Sequence, residues 1–337
     1  MKPNIFDIAT KELTQDAFIT WLLKFADEKN RNFDLEMNEC GKMFVTELIK
    51  KQLKSFDEPI TKVKAGRQWE NIDVWAEVNE KYLIIIEDKT STTYHSNQLE
   101  RYKENSTNWC VENNYEIPIC IYLKTGNESL SSLRKIEEQG FAIFNRIDFL
   151  SILEKFEKSN NNIYLDFFQR LKKLEKWNNE FEEKFIKDWN GNDWQGFFHF
   201  LEKHEKIESW DYVNNPSGGF WNALINWDYW GIYPAYLQLE EGKLCFKIST
   251  DPKEVKLPEN TSIGEVRNDF YNLIMEKAKE FGLSHIRKPN RFGTGKYMTV
   301  AIVDKENWLG ADESRIEKET IFKNLENYLD FLTKIIA

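Results

Sequence analysis

The sequence predicts a mixed α/β fold: a central sheet covered by helices in the first half of the chain, and an α+β domain in the second. Three observations predict it. Two strand-like runs, residues 72–78 and 82–87, are joined by a short polar turn at 79–81 and form a hairpin. Helical segments and further strands surround the hairpin in the order α-α-β-β-β-α-β-α-β, the order of a mixed sheet flanked by helices. Beyond residues 190–192 the aromatic density rises, with Trp194, Trp210, Trp221, Trp227 and Trp230 all falling there.

Each element has its own signal. Residues 14–27 carry Phe18, Trp21, Leu22 and Phe25 at helical spacing, with Thr14 as the expected N-cap. A second helix is expected over 40–55, on Met43, Phe44, Leu48 and Leu53. Strand character begins at 60–67 and alternates through Ile72, Val74, Ala76 and Val78. It becomes nearly continuous at Leu83-Ile84-Ile85-Ile86, a run that should enter the core. A polar loop at 90–94 leads into a helix over about 95–113, then a strand at 117–123, a short helix at 130–139 and a strand at 141–144. Residues 147–189 read as two helices broken at 159–162, with solvated charged faces. Strands are expected at 220–227, 236–239 and 244–248, the last two joined by a Glu241-Gly242 turn. A helix over 263–281, a strand at 297–303 and a closing helix over 316–336 complete the chain. The expected division is a domain over 1–150, a helical connector over 151–189 and an α+β domain over 190–337.

Composition narrows the function classes. The chain has 337 residues, enough for about two domains with full cores. Its 46 basic and 56 acidic residues give a formal net charge of −10, which argues against coating nucleic acid by bulk charge but leaves room for a local basic groove. Cys40, Cys110, Cys120 and Cys245 lie far apart, so neither a disulfide framework nor a structural zinc site is expected, and the usage suits a reducing cytosol. Residues 1–13 lack the apolar core of a secretory signal, and no apolar run approaches the ~18 residues that span a bilayer. A cytoplasmic protein without a membrane partner is expected. Only four histidines, no His-Glu-x-x-His and no Gly-rich phosphate loop disfavour zincins and the common nucleotide-binding folds.

The chemistry concentrates around the hairpin. Asp73 opens its first strand, and Glu87-Asp88-Lys89 closes its second. A tight turn places Asp73 and Glu87 on neighbouring antiparallel strands, where side chains at the strand ends converge. Two such carboxylates make an oxygen-ligand site suited to Mg²⁺ or Mn²⁺, with the Asp88 carbonyl as a third ligand. Lys89 projects from the same strand face as Glu87. A metal that polarises a phosphate and acidifies water, beside an ammonium that orients that water, is what phosphodiester hydrolysis requires. Glu-x-Lys alone is common here: it recurs at Glu182/Lys184, Glu241/Lys243 and Glu254/Lys256. Only Glu87/Lys89 ends an apolar strand that follows another strand carrying an acid. The alternative is that these charges merely solubilise a sheet edge.

This arrangement resembles the PD-(D/E)XK nuclease superfamily, in Asp73, Glu87 and Lys89, with Ile72 where the family's proline usually stands. Downstream, Gln98-Leu99-Glu100-Arg101-Tyr102 is similar to the Gln-x-x-x-Tyr motif of the bacterial RecB-like branch, and its spacing puts Gln98 and Tyr102 on one helix face. Upstream, the segment from Glu12 through Asp16 to Trp21-Leu22-Leu23 looks like the family's opening helix, from which an acidic residue often points into the site. Glu12 is the candidate for that role, with Asp16 second. The resemblance covers residues 8–145 and implies a restriction-endonuclease-like core. It also implies a metal-dependent endo- or exonuclease acting on DNA ahead of RNA, in a setting such as restriction or phage defence. In that reading Lys89, Gln98, Tyr102 and Glu12 are catalytic, and Asp73, Glu87 and Asp88 hold the metal. The rival reading is a non-catalytic module on the same fold that binds nucleic acid or a partner protein.

Other candidates lie apart from the hairpin. Arg67 follows the first strand and is placed to contact phosphates, and His95 in the loop after Lys89 is a candidate acid. Arg287, Lys288, Arg291 and Lys296 make residues 286–296 the most basic loop of the chain, one that would grip a nucleic-acid backbone while Phe292 stacks a base. Trp221, Trp227 and Trp230 read as core or interface ahead of a ligand pocket. A protein partner or a homodimer remains open, and the C-terminal domain reads as a sensor or docking module that restrains the nuclease.

Overall fold

The computed structural model describes residues 2–90, 97–215 and 218–337; His95 and the loop around it lie outside these described residues. The chain divides into two compact units, Met1–Lys176 and Trp177–Ala337.

The first unit runs α1 (Ile5–Ile8), α2 (Glu12–Phe25), α3 (Leu35–Lys50), β1 (Val63–Trp69), β2 (Ile72–Val78), β3 (Tyr82–Lys89), α4 (Gln98–Asn113), β4 (Ile119–Lys124), α5 (Leu130–Glu138), β5 (Ala142–Asn145), α6 (Arg146–Leu153) and α7 (Asn162–Asn179). Its five strands form one sheet in sequence order. β1, β2 and β3 pair antiparallel, and β4 and β5 add in parallel. One sheet face packs Val74, Ala76, Ile84 and Ile86 against Phe18, Leu22, Phe44, Phe149 and Phe167 from α2, α3, α6 and α7. The other face packs Leu83, Ile85 and Tyr122 against Leu99, Tyr102 and Ile136 from α4 and α5. β3 is therefore buried at all eight positions, which is why it reads as a continuous apolar run. Each such buried side chain contributes about 1.5–3 kcal/mol. Residues 146–171, expected partly in a connector, place Phe149, Tyr164, Phe167, Phe168 and Leu171 in the first core.

Two hairpin turns join the antiparallel strands at opposite ends of the sheet. Asn79 and Glu80 hold the β2–β3 turn with φ of 54° and 53°, the left-handed pair of a tight hairpin turn. Glu70 and Asn71 do the same between β1 and β2, with φ of 52° and 66°. Gln68, at φ 59°, lies opposite Asp73 between the pairs Arg67–Val74 and Trp69–Ile72, and the register of β1 on β2 is kept across it.

Several boundaries differ from the sequence expectation for identifiable reasons. α2 begins at Glu12, not near Thr14, and its N-cap position is Lys11. The Glu12 carboxylate accepts from the Thr90 backbone, which anchors the helix start two residues earlier. Asp16 therefore lies a full turn inside the helix. α3 begins at Leu35, because Asp34 caps it by accepting from Met37 N at 3.1 Å.

The second unit runs α8 (Gly191–Lys203), β6 (Ser209–Val213), β7 (Phe220–Leu224), β8 (Asp228–Trp230), β9 (Tyr233–Glu240), β10 (Lys243–Ser249), α9 (Ile263–Glu280), β11 (Tyr297–Val303) and α10 (Lys318–Ile336). Its sheet is antiparallel, in the order β11-β10-β9-β7-β6, with β8 also on β9. Leu237, Leu239, Phe246 and Val300 pack against Phe197, Phe270, Ile274 and Phe331 of α8, α9 and α10. The three tryptophans singled out from the sequence pack on different aromatic partners. Trp221 meets Trp210, Trp227 stacks on Tyr236 and Trp230 stacks on Phe270. All four cysteines are buried free thiols. Among the described residues no helix is long and apolar enough to cross a membrane.

Candidate active site

The antiparallel register, with Val74 opposite Ile86, carries Asp73 beside the end of β3. Asp73 Oδ2 accepts from Asp88 N at 3.0 Å and from Lys89 Nζ at 3.4 Å. Lys89 Nζ also pairs with Glu87 Oε1 and donates to the Asp88 carbonyl at 3.2 Å. The structure thus gathers two carboxylates, one carbonyl and one ammonium at the end of one strand pair.

α4 ties this group to the neighbouring turn. Gln98 Nε2 donates to Glu87 Oε1 at 3.0 Å and to Tyr102 Oη at 2.8 Å, and Tyr102 Oη donates to the Asn71 carbonyl at 2.5 Å. Asn71 lies two residues before Asp73. A single chain of hydrogen bonds therefore links the turn that sets Asp73 to the side chain of Glu87. Glu12 closes the group from α2: its Oε1 accepts from Thr90 N at 3.1 Å and from the Thr90 hydroxyl at 3.4 Å. Thr125 N donates to the Lys89 carbonyl at 3.2 Å, and a side chain at Gly126 would put its Cβ 1.9 Å from the Thr90 carbonyl. Only glycine lets the chain leaving β4 pass so close to the residue after Lys89.

Burial dominates the electrostatics. Glu87 is buried, and that desolvation, with the nearby Asp73 charge, pushes its carboxyl up to about 8 against the opposing pull of Lys89. Burial works to depress Lys89, but the Glu87 and Asp73 carboxylates outweigh it and hold the ammonium above its usual range. Lys89 is a fixed cation near neutral pH.

Three participants were not singled out from the sequence. Gln15 Nε2 donates to Asp88 Oδ1 at 2.6 Å, and Thr125 Oγ1 donates to Gln15 Oε1 at 2.8 Å. This holds Asp88 on the sheet face away from Glu87, so only its backbone joins the cluster. Asp16, the second choice for an acid pointing into the site, lies against the Asp88 side chain. Burial raises Asp16 to about 6 and Asp88 well above the carboxylate range. Lys124, opposite Lys89 in the parallel register of β3 and β4, is buried and paired with Glu128 at 3.2 Å. Glu128 is held in turn by Tyr122 Oη at 2.8 Å and Ser132 Oγ at 2.5 Å. A charged residue directly after the apolar run that ends at Leu123 was the available signal for Lys124. Gln15 gave none, because its partners come from strands far along the chain.

The remaining candidates stand apart. Arg67 is exposed on β1 and donates to the Leu13 carbonyl at 3.0 Å. In the second unit, Arg287 is paired with Asp304 at 2.6 and 2.7 Å, and Lys296 with Asp251 at 3.3 Å. Lys288 lies over the Phe292 ring and Arg291 is exposed. Phe292 is engaged by Arg267, Lys288 and Tyr271, in place of a stacked base.

Among the described residues no group of three or more His, Cys, Asp or Glu forms a ready-made metal cage. The donor set nevertheless suits a hard cation that keeps several waters: Asp73, the Asp88 carbonyl and Glu87, whose Oε2 is buried without a hydrogen-bond partner.

A family model of the PD-(D/E)XK nuclease superfamily matches residues 3–204, more than half of the chain. The chain belongs to the PD-(D/E)XK nuclease superfamily. No curated protein and no solved structure matches it.

Proposed function

We propose that the chain is a metal-dependent phosphodiester hydrolase that cleaves nucleic acid, DNA ahead of RNA, at Asp73, Glu87 and Lys89. The observation that carries this is Glu87. Its Oε2 is buried with no partner beside a second carboxylate and a fixed ammonium, an arrangement that is costly unless a cation completes it. Asp73, Glu87 and the Asp88 carbonyl would hold Mg²⁺ or Mn²⁺, which when bound polarises the phosphate and acidifies the attacking water. Lys89, held as an ammonium, does not take the proton from that water. It orients the water and neutralises charge developing on the phosphoryl oxygens. Gln98 and Tyr102 fix the Glu87 carboxylate, and Glu12 holds the backbone just past Lys89. Arg67 contributes a phosphate contact at the exposed edge of the sheet. The choice of DNA follows the resemblance to the nuclease superfamily, and restriction or phage defence as the setting follows fold-level analogy for the second domain.

The test is incubation with plasmid, single-stranded DNA and RNA, each with Mg²⁺, Mn²⁺ or EDTA, beside Lys89→Ala. Metal-dependent cleavage by the wild type alone is expected. Binding without cleavage of any polymer, independent of metal, would overturn the proposal in favour of a binding module.

A further inference from the structure

The cations around the basic loop of the second unit fall into two groups. Arg287 and Lys296 are neutralised by Asp304 and Asp251. Arg267, Lys288 and Arg291 have no carboxylate within ion-pair reach among the described residues.

Two of them share one aromatic ring. The Arg267 guanidinium lies 4.1 Å from the Phe292 ring centroid and the Lys288 ammonium 4.2 Å from the same centroid. The ring quadrupole attracts each cation weakly but carries no net charge, so an anion remains the missing partner of both. The cations are also fixed in advance. Arg267 Nη1 donates to the Phe292 carbonyl at 2.8 Å, and its Nε and Nη2 donate to Asn268 Oδ1 at 3.3 and 3.0 Å. One N–H on each Nη remains for a further acceptor. Tyr271 braces the platform, with its ring 5.2 Å from Phe292 and 5.3 Å from Lys288 Nζ. Approach is open on the loop side. Arg291 is exposed, and a Cβ added at Gly293 or Gly295 would meet nothing within 4 Å.

We propose that Arg267 and Lys288, on the Phe292–Tyr271 platform, form with the exposed Arg291 of the same loop a phosphate site for a nucleic-acid backbone, and that Arg287 and Lys296 are structural. The choice of a nucleic acid as the source of the phosphate rests on the nuclease reading. The paired N–H groups of a guanidinium match two phosphoryl oxygens, and a neighbouring ammonium adds a point charge. Arg267 belongs to α9, far in sequence from the loop, so the basic run alone could not reveal it.

The experiment is fluorescence anisotropy of the full wild-type chain with labelled single-stranded and duplex oligonucleotides, in EDTA to prevent cleavage, across a salt series. Arg267→Ala/Lys288→Ala is expected to weaken binding by about tenfold and to lower the slope of log Kd against log salt by about two. Arg291→Glu, at an exposed position whose change does not endanger folding, is expected to weaken binding in the same direction. Arg287→Ala in a chain that still folds is expected to change Kd less than twofold. Inorganic phosphate should compete weakly with the wild type and less with the double variant. Unchanged Kd and slope in both the double variant and Arg291→Glu would overturn the proposal. Its failure is separable from failure of the nuclease reading. A wild type that cleaves with metal while the patch variants bind normally removes only the patch. A wild type that binds through the patch but never cleaves removes only the nuclease.

Discussion

The two units differ in the buried charge they leave without a partner. In the second unit, Asp193 at the start of α8 accepts from Lys184 Nζ at 2.8 and 3.1 Å and from Asn190 N at 2.9 Å. Glu202 accepts from Trp210 Nε1 at 2.9 Å, and Lys247 pairs with Glu240 at 2.7 Å. In the first unit, Asp16, Glu87 and Asp88 each keep a buried carboxylate oxygen with no hydrogen-bond partner, and all three lie on or against the end of β3. Satisfied buried charge specifies a fold; unsatisfied buried charge, gathered at one strand end, marks a place prepared for something the chain does not itself supply.

Four experiments sharpen or break this contrast, taken from the largest expected effect to the smallest. Lys89→Ala should lower the cleavage rate by roughly 10³-fold or more while leaving the far-ultraviolet spectrum unchanged. Retained cleavage would detach the charged cluster from the chemistry. Tyr102→Phe removes the hydroxyl between Asn71 and Gln98 and should lower metal affinity or rate by about 10–100-fold, measured by titration of Mn²⁺ and by turnover. Metal affinity should also depend on pH with a definite sign. Glu87 holds its proton up to about 8, and a metal requires the carboxylate. Affinity should therefore rise with pH towards about 8 and level off above it, with protons released on binding below that point. Calorimetry in buffers of different ionisation enthalpy reads that release, and Glu87→Gln should abolish it. Asp193→Ala in the second unit should instead lower stability by about 1–3 kcal/mol in urea denaturation, with turnover unchanged. A change in turnover comparable to that of Tyr102→Phe would mean that the contrast between the units is misplaced.

The sequence revealed what local periodicity and spacing determine. The β2–β3 hairpin was visible because Ile72, Val74, Ala76 and Val78 alternate and Asn79 is a residue that accepts the left-handed conformation of a tight turn. That hairpin alone brings Asp73 to Glu87 and Lys89. β11 at Tyr297–Val303 and the Glu241-Gly242 turn were legible for the same reason. What escaped depends on groups far apart along the chain. α8 was missed although Asn190 and Asp193 form a capping box, because the aromatic residues there obscured its periodicity. The start of α2 was misplaced because Thr90, outside the helix, anchors Glu12. Gln15 is recruited by Asp88 and Thr125, and Arg287 and Lys296 are neutralised by Asp304 and Asp251. None of these pairings leaves a mark in the local sequence.

The complete burial of β3 has an evolutionary consequence. One strand is both the centre of the core and the bearer of the charged cluster, so selection for stability and selection for cleavage act on the same eight residues in opposite directions. Exchanging Asp16 or Asp88 for asparagine relieves one of two desolvated carboxyls that face each other and should raise the melting temperature. Duplicated copies released from selection for cleavage should therefore drift first at these charges and keep the sheet. Such descendants would be more stable than their ancestor, with the architecture outlasting the reaction it was built to perform.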